Sequence, residues 1–473
     1  MSVTVPRPTG SSRTQAESPL RRLEHLADPG SLELIRTGVI STRVGDRARP
    51  DDGVLAGAAR VGGRPIFCYS EDPAYLGGSL GEAHADSIVR VMELAQRAGA
   101  PVVGFVESGG ARLQEGHAAL AGYGRIFRRS VELSRLVPQV SVVSGVSAGG
   151  GAYSPALTDF VVMTGEGRMF LTGPGVVRAA LGEEVSMEDL GGPRVHGKNG
   201  VAQFSVSTEA DAAVLVRELL GMLPSRLGDS LPIAPGAAPT GDPSAPVPAA
   251  SRKVYDVRDV AAEIVDDARL LEVSPRWAPN MVTALCRIDG RPVGLIANQP
   301  RRIAGVIDAA AAEKAATFIE RCERFGLPLV VLVDTPGFMP GRRQESAGVI
   351  RQGASLLRAF AGATVPKLTV VLRKAYGGAV ITMNSRDLGA DAVFAWPGAE
   401  IGIMAARQAV DIVHRRHLEA EGPDAREFLA AAYAEEHLSA EAAAASGYVD
   451  EVIDPIETRA RLAGALAWRD SGR

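Results

Sequence analysis

The chain has 473 residues, 46% of them hydrophobic, with 51 Lys+Arg against 55 Asp+Glu for a formal net charge of −4. At roughly 100 to 200 residues per domain, that predicts two or three domains with real cores and excludes a disordered chain. The near-balanced charge supplies no field to gather nucleic acid or an anionic membrane surface, so the expected ligands are small molecules or proteins.

Residues 1–18 are polar and Pro-rich and read as a loose tail without the apolar core of a signal peptide, which predicts a cytoplasmic protein. Leu20 to Ile35 reads as a short amphipathic helix interrupted near Asp28-Pro29-Gly30. Short β-branched runs then alternate with longer helical patterns: Pro101 to Val106 and Val140 to Ser144, later Leu327 to Val333 and Leu368 to Leu372. Such alternation predicts an α/β fold with strands covered by helices. The longest clean apolar run, Phe325 to Val333, falls far short of the ~20 residues of a bilayer span. Residues 236–252, GAAPTGDPSAPVPAASR, form a Pro/Ala-rich linker near the midpoint. It separates an expected N-terminal domain at 19–235 from an expected C-terminal domain at 253–473.

The two halves repeat each other. Val137-Pro138 precedes QVSVV and Gly149-Gly150; Val365-Pro366 precedes KLTVV and Gly377-Gly378, and in both halves the Gly pair begins eleven residues after the Pro. Upstream, FVESGGARLQEG (105–116) and LVDTPGFMPG (332–341) both end a strand in a glycine-containing turn. This is an internal duplication.

A Gly pair between a buried strand and a helical segment (Ala152 to Thr158, Ala379 to Met383) presents unblocked backbone N–H groups, an anion or oxyanion site. The competing reading is tight strand-to-helix packing. Two such pairs in register, each with a second glycine turn before it, favour the functional one. Ser108 and Ser154 lack a G-x-S-x-G elbow. His414 and His417 read as a solvated basic helix face with no carboxylates to complete a metal site, and no metal is expected. Glu107, Glu115, Asp334 and Glu345 flank the glycine turns, where capping or pairing with arginine is the preferred reading over acid–base chemistry. Cys68, Cys286 and Cys322 are too few and scattered for a disulfide scaffold or a thiolate zinc site.

GGSLGEAHADS (77–87), ESGGARLQEG (107–116), SAGGGAYSPALTDFVVM (147–163), NQP (298–300), DTPGFMPG (334–341), RKAYGGA (373–379) and AWPGAEIGIM (395–404) resemble the carboxyltransferase β subunit of biotin-dependent acyl-CoA carboxylases, of the actinobacterial acetyl/propionyl-CoA type. The resemblance covers about residues 60 to 455. It implies two crotonase-like ββα spiral domains in tandem, a hexamer in which one subunit's N-domain faces another's C-domain, and transfer of a carboxyl group from carboxybiotin to the α-carbon of an acyl-CoA. The biotin would be carried on a separate biotinylated α subunit. Carried over by position, Gly110-Ala111 with Gly149-Gly150 resembles the acyl-thioester hole. Gly337-Phe338, Gly377-Gly378 and Ala405-Ala406 resemble the biotin side, and Gln408 is expected to point between biotin and the acyl tail. Three positions depart from the family's usual pattern: Ala405 stands for glycine, Gly175 for an aspartate, and Ser87 for a frequent lysine. A related decarboxylase or transcarboxylase subunit, and a non-catalytic structural subunit, are the alternatives.

Overall fold

The computed structural model describes residues 17–250, 253–416, 418 and 423–468. Residues 1–16 of the expected tail, 251–252 of the expected linker and His417 lie outside the described residues. Glu17 and Ser18 belong to the fold rather than to a tail: the Glu17 N–H donates to Glu209 and the Ser18 side chain caps the first helix, accepting from the Arg21 N–H. That helix, α1 (Pro19–Leu26), ends before Pro29. The second piece of the expected broken helix is instead strand β1 (Glu33–Ile35), drawn into an antiparallel pair with Ala56–Ala58.

Two sheets carry the molecule, and they are built alike. In the first, β1, β2 (Val54–Val61) and β3 (Arg64–Glu71) are antiparallel, after which β4 (Val102–Val106), β5 (Gln139–Val143), β7 (Phe160–Met163) and β9 (Phe204–Ser205) follow in parallel. A small parallel pair, β6 (Val146–Ala148) and β8 (Arg168–Phe170), stands beside it. In the second, β10 (Leu271–Glu272), β11 (Met281–Ile288) and β12 (Arg291–Asn298) are antiparallel. The parallel β13 (Leu329–Thr335), β14 (Lys367–Tyr376), β15 (Ala392–Ala395) and β17 (Glu451–Val452) continue that sheet. Here β16 (Glu400–Gly402) pairs with the far end of β14, which runs on where β5 and β6 are separate. This is the crotonase-like arrangement twice over. Every residue of β4, β5, β13 and β15 is buried, as expected of parallel strands covered on both faces.

Helices α2 (Glu82–Ala98), α3 (His117–Leu133), α4 (Gly150–Ala156) and α5 (Pro174–Leu181) serve the first sheet. Ala309–Phe325, Val349–Gly362, Gly378–Thr382 and Ala406–Val413 take the same places in the second. Ser87 on α2 and Lys314 on Ala309–Phe325 occupy matching positions, so the lysine missing from the first half is present in the second, buried and bonded to the Met281 carbonyl at 2.7 Å.

The halves share a core. The Phe160 ring stacks on Phe325 with centroids 6.1 Å apart, and Arg324 pairs with Asp159 across the same contact. The described part of 236–252 holds neither helix nor strand, and Ala237 donates to Asp267 at 3.0 Å, which ties it to the second half. Among the described residues no helix is long and apolar enough to cross a membrane.

Candidate active site

Each sheet ends in the same pair of touching turns. After β4 the chain runs Glu107-Ser108-Gly109-Gly110-Ala111; at the end of β13 it runs Asp334-Thr335-Pro336-Gly337-Phe338. Leu80 donates to the Gly110 carbonyl at 2.9 Å and accepts from Arg112 at 2.9 Å. Ile307 likewise donates to Gly337 at 3.0 Å and accepts from Met339 at 2.8 Å. These bridges clamp the residues on either side of Ala111 and Phe338. Among the described residues, the N–H groups of Ala111 and Phe338 meet no acceptor.

The second turn sits at Gly149 and Gly377. Their backbones match, φ 58°, ψ −119° and φ 62°, ψ −144°, a region closed to side-chain-bearing residues at low cost. Gly149 donates to Phe170 at 3.1 Å and Gly377 to Gly402 at 2.9 Å, so the turns are anchored while the next N–H groups, on Gly150 and Gly378, open a helix and have no intrahelical partner. The two turns touch. Ala148 donates to Ser108 at 2.9 Å, and a β-carbon on Gly110 or Gly337 would stand 3.4 Å from the carbonyl oxygen of Ala148 or Tyr376. The structure therefore brings Gly110, Ala111, Gly149 and Gly150 together in one half, and Gly337, Phe338, Gly377 and Gly378 in the other.

Ala405 opens the Ala406–Val413 helix with φ −62°, ψ 148°, matching Gly173 ahead of α5 at φ −70°, ψ 164°. Alanine thus replaces glycine there without backbone strain. Gln408 does not point inward in the chain alone: it is exposed, because the buried face of that helix is carried by Ala409 and Val410. Its neighbour Arg407, not singled out by the sequence, pairs with Glu427 at 2.7 Å.

Three of the four flanking carboxylates are committed to ion pairs. Glu107 meets Arg22 at 2.6 Å, Glu115 meets Arg112 at 2.8 Å and accepts from the Glu82 N–H that opens α2, and Asp334 meets Arg373 at 3.1 Å and Lys374 at 2.9 Å. Burial pushes the Glu107 carboxyl up against the opposing pull of Arg22. Glu345 is exposed on a short helix. Ser108 spends its hydroxyl proton on the Gly78 carbonyl at 2.8 Å, and among the described residues no histidine bonds to it. His414 closes its helix at the C-cap. The side chain that sequence reasoning missed is Tyr123, whose ring lies against Gly150 and whose hydroxyl is 3.0 Å from Ser108 Oγ. Nothing in α3 itself marks it, since an aromatic at a helical core position reads as packing.

Paired backbone donors at two matched turns, with the nearby carboxylates neutralised by cations, suit a reaction that develops negative charge on two oxygens without a side-chain nucleophile. Residues 16–472 match the carboxyl transferase domain family. The chain belongs to that family. It is 45% identical to the propionyl-CoA carboxylase beta chain of Saccharopolyspora erythraea, over 94% of this chain and 86% of that one. It is also 45% identical to the methylmalonyl-CoA decarboxylase subunit alpha of Veillonella parvula, over 90% and 83%. A crystal structure of transcarboxylase 12S, described as a hexamer assembly with methylmalonyl-CoA bound, superposes with a TM-score of 0.92 at 43% identity, covering 97% of this chain and 90% of that one.

Proposed function

We propose that the chain is the carboxyltransferase subunit of a biotin-dependent acyl-CoA carboxylase, converting acetyl-CoA or propionyl-CoA to malonyl-CoA or methylmalonyl-CoA. The observation that carries this is the duplicated pair of turns, each with two backbone N–H groups free of acceptors among the described residues. In this reading Ala111 and Gly150 hold the thioester oxygen, and their bonds strengthen as it takes on enolate charge. Phe338 and Gly378 hold the ureido oxygen on the other side. A cavity of about 680 Å³ opens beside Gly377 and Gly378, lined by apolar Ile381, Met383, Ile401 and Ile403 together with charged Arg386, Asp387 and Glu436, and offers room for a ligand with both apolar and polar faces. Carboxybiotin held there would supply the carboxyl group and the base for the α-proton. Backbone donors add no charge that would compete with either anion.

Purified chain, carboxylated biotin carrier and labelled propionyl-CoA or acetyl-CoA should exchange the carboxyl group; absence of transfer to both acyl-CoAs overturns the reading. The decarboxylase and transcarboxylase relatives make the reverse direction, from methylmalonyl-CoA to the carrier, the second arm of the same assay.

Both turns are rimmed by exposed apolar side chains. Leu113, 91% exposed, follows Ala111 by two residues and Tyr153 lies on the helix that Gly150 opens; Ile381 lies on the helix that Gly378 opens, and the carbonyl of Ile403, 79% exposed, stands 3.4 Å from the β-carbon position of Gly377. Apolar area of this kind is covered when chains associate. We infer an active site shared between the N-half of one subunit and the C-half of another, within a hexamer that also recruits a biotinylated α subunit. Gel filtration should place all exchange activity in the oligomer peak, and full activity at monomer mass would refute the shared site. Free buried thiols at Cys68, Cys286 and Cys322 suit a reducing compartment, in keeping with a cytoplasmic enzyme.

Gln408 reaches the acyl pocket in this arrangement only from the exposed face that a second subunit would cover. Gln408→Ile should then shift the acetyl-CoA to propionyl-CoA ratio of kcat/KM by several fold, since one methylene is worth about 1–3 kcal/mol. An unchanged ratio removes Gln408 from the pocket.

A further inference from the structure

One side chain reaches both turns of the first half without belonging to either. Tyr123, on α3, is buried. A β-carbon built on Gly150 would stand 2.7 Å from its Cγ and Cδ2 atoms, so the ring lies flush under the start of α4. Its hydroxyl, 3.0 Å from Ser108 Oγ, reaches the other turn.

The direction of that bond follows by counting protons. A serine hydroxyl has one, and Ser108 gives it to the Gly78 carbonyl at 2.8 Å. Tyr123 therefore donates, and Ser108 Oγ accepts twice, from Tyr123 and from the Gly110 N–H at 3.3 Å. Burial pushes the phenol pKa upward, which keeps that proton in place. The chain Tyr123 to Ser108 to Gly110 ends one peptide from the Ala111 donor.

The second half does the same work with other parts. Thr335 replaces Ser108 and receives the Gly337 N–H at 3.2 Å. Among the described residues no tyrosine bonds to Thr335, and the Phe338 ring lies 3.4 Å from the β-carbon position of Gly353 on the Val349–Gly362 helix. The ring that faces Gly378 thus belongs to the touching turn, whereas the ring that lies against Gly150 comes from a separate helix. In the first half the side chain that links the two turns, Tyr123, comes from outside both of them.

We propose that Tyr123 is a positioning residue of the thioester side, setting the Ala111 N–H through Ser108 and the Gly150 N–H through its ring. This rests on the assignment of the first half to the acyl-CoA.

Tyr123→Phe keeps the ring and removes the proton. In the assembled carboxylase it should lower kcat about tenfold while leaving KM for propionyl-CoA within about twofold, because the donors matter most when the oxygen is charged. Ser108→Ala should match it. The double variant should be about as slow as either single, roughly tenfold rather than a hundredfold, since both break one link. Independently of turnover, amide hydrogen exchange read by mass spectrometry should speed up in peptides spanning 108–111 of Tyr123→Phe and stay unchanged in 335–338. Wild-type kcat and wild-type exchange in Tyr123→Phe would overturn the proposal, as would multiplicative losses in the double variant. If the parent chain carboxylates no acyl-CoA, the functional reading fails by itself, and the exchange of 108–111 decides the positioning role.

Discussion

Gly150→Ala is expected to fold and to carboxylate acyl-CoA at least a hundredfold more slowly than the parent. The added carbon would sit 2.7 Å from the Tyr123 ring, a separation that real side chains do not adopt, and the ring is walled in by the core. Either the ring tips, pulling its hydroxyl from Ser108, or the first turn of α4 backs away with its N–H. Loss of one oxyanion donor is worth about 3 kcal/mol, or roughly 10² in rate. Its counterpart Gly378 is packed more loosely. A β-carbon on Gly378 meets only Phe338 at 3.9 Å, ordinary contact, so Gly378→Ala should stay within several fold of normal. The second half has its own forbidden position at Gly377, with φ 62°. Turnover of the three alanine variants, with circular dichroism to establish folding, separates these effects. A near-normal rate for Gly150→Ala would return the first Gly pair to a packing role.

This asymmetry shows where sequence reading stops. The duplication, the parallel strands and the glycine turns are legible because each depends on local composition: β-branched runs for buried parallel strands, glycine where φ is positive. The same reasoning failed at Glu33–Ile35, three residues whose own pattern suits a helix and whose strand geometry is imposed by pairing with Ala56–Ala58. It does not reach as far as Gln408, which is exposed in the chain alone. Its place in the first turn of a helix could be counted, but its direction depends on which face Ala409 and Val410 bury. Tyr123 was invisible for a third reason. Its importance lies in Gly150 and Ser108, 27 and 15 residues away in the chain, and only the fold sets them against one ring and one hydroxyl.

Among the flanking carboxylates the fold makes an equally sharp distinction, and Asp334→Ala should be the most destabilising change of all, by about 3–5 kcal/mol. Asp334 is fully buried and holds Arg373 at 3.1 Å, Lys374 at 2.9 Å and the Tyr255 hydroxyl at 2.9 Å. Removing it leaves two cations with little solvent access, with Arg373 still held by the Lys253 carbonyl and the face of the Tyr255 ring but by no carboxylate among the described residues. Glu107 occupies the matching position, yet its removal should cost clearly less. Its partner Arg22 also meets Glu209 at 2.6 Å and the Glu71 carbonyl at 3.1 Å, so the guanidinium stays paired. Asp334→Asn restores the shape and an acceptor for Tyr255 but not the charge, and should fall between the two. Denaturant midpoints at fixed oligomer concentration measure all three, with concentration held constant because association adds to apparent stability. Equal losses for Asp334→Ala and Glu107→Ala would show that the shared partner Glu209 does not compensate, and a loss below about 1 kcal/mol for Asp334→Ala would mean that water reaches the Arg373–Lys374 pair once the carboxylate is gone.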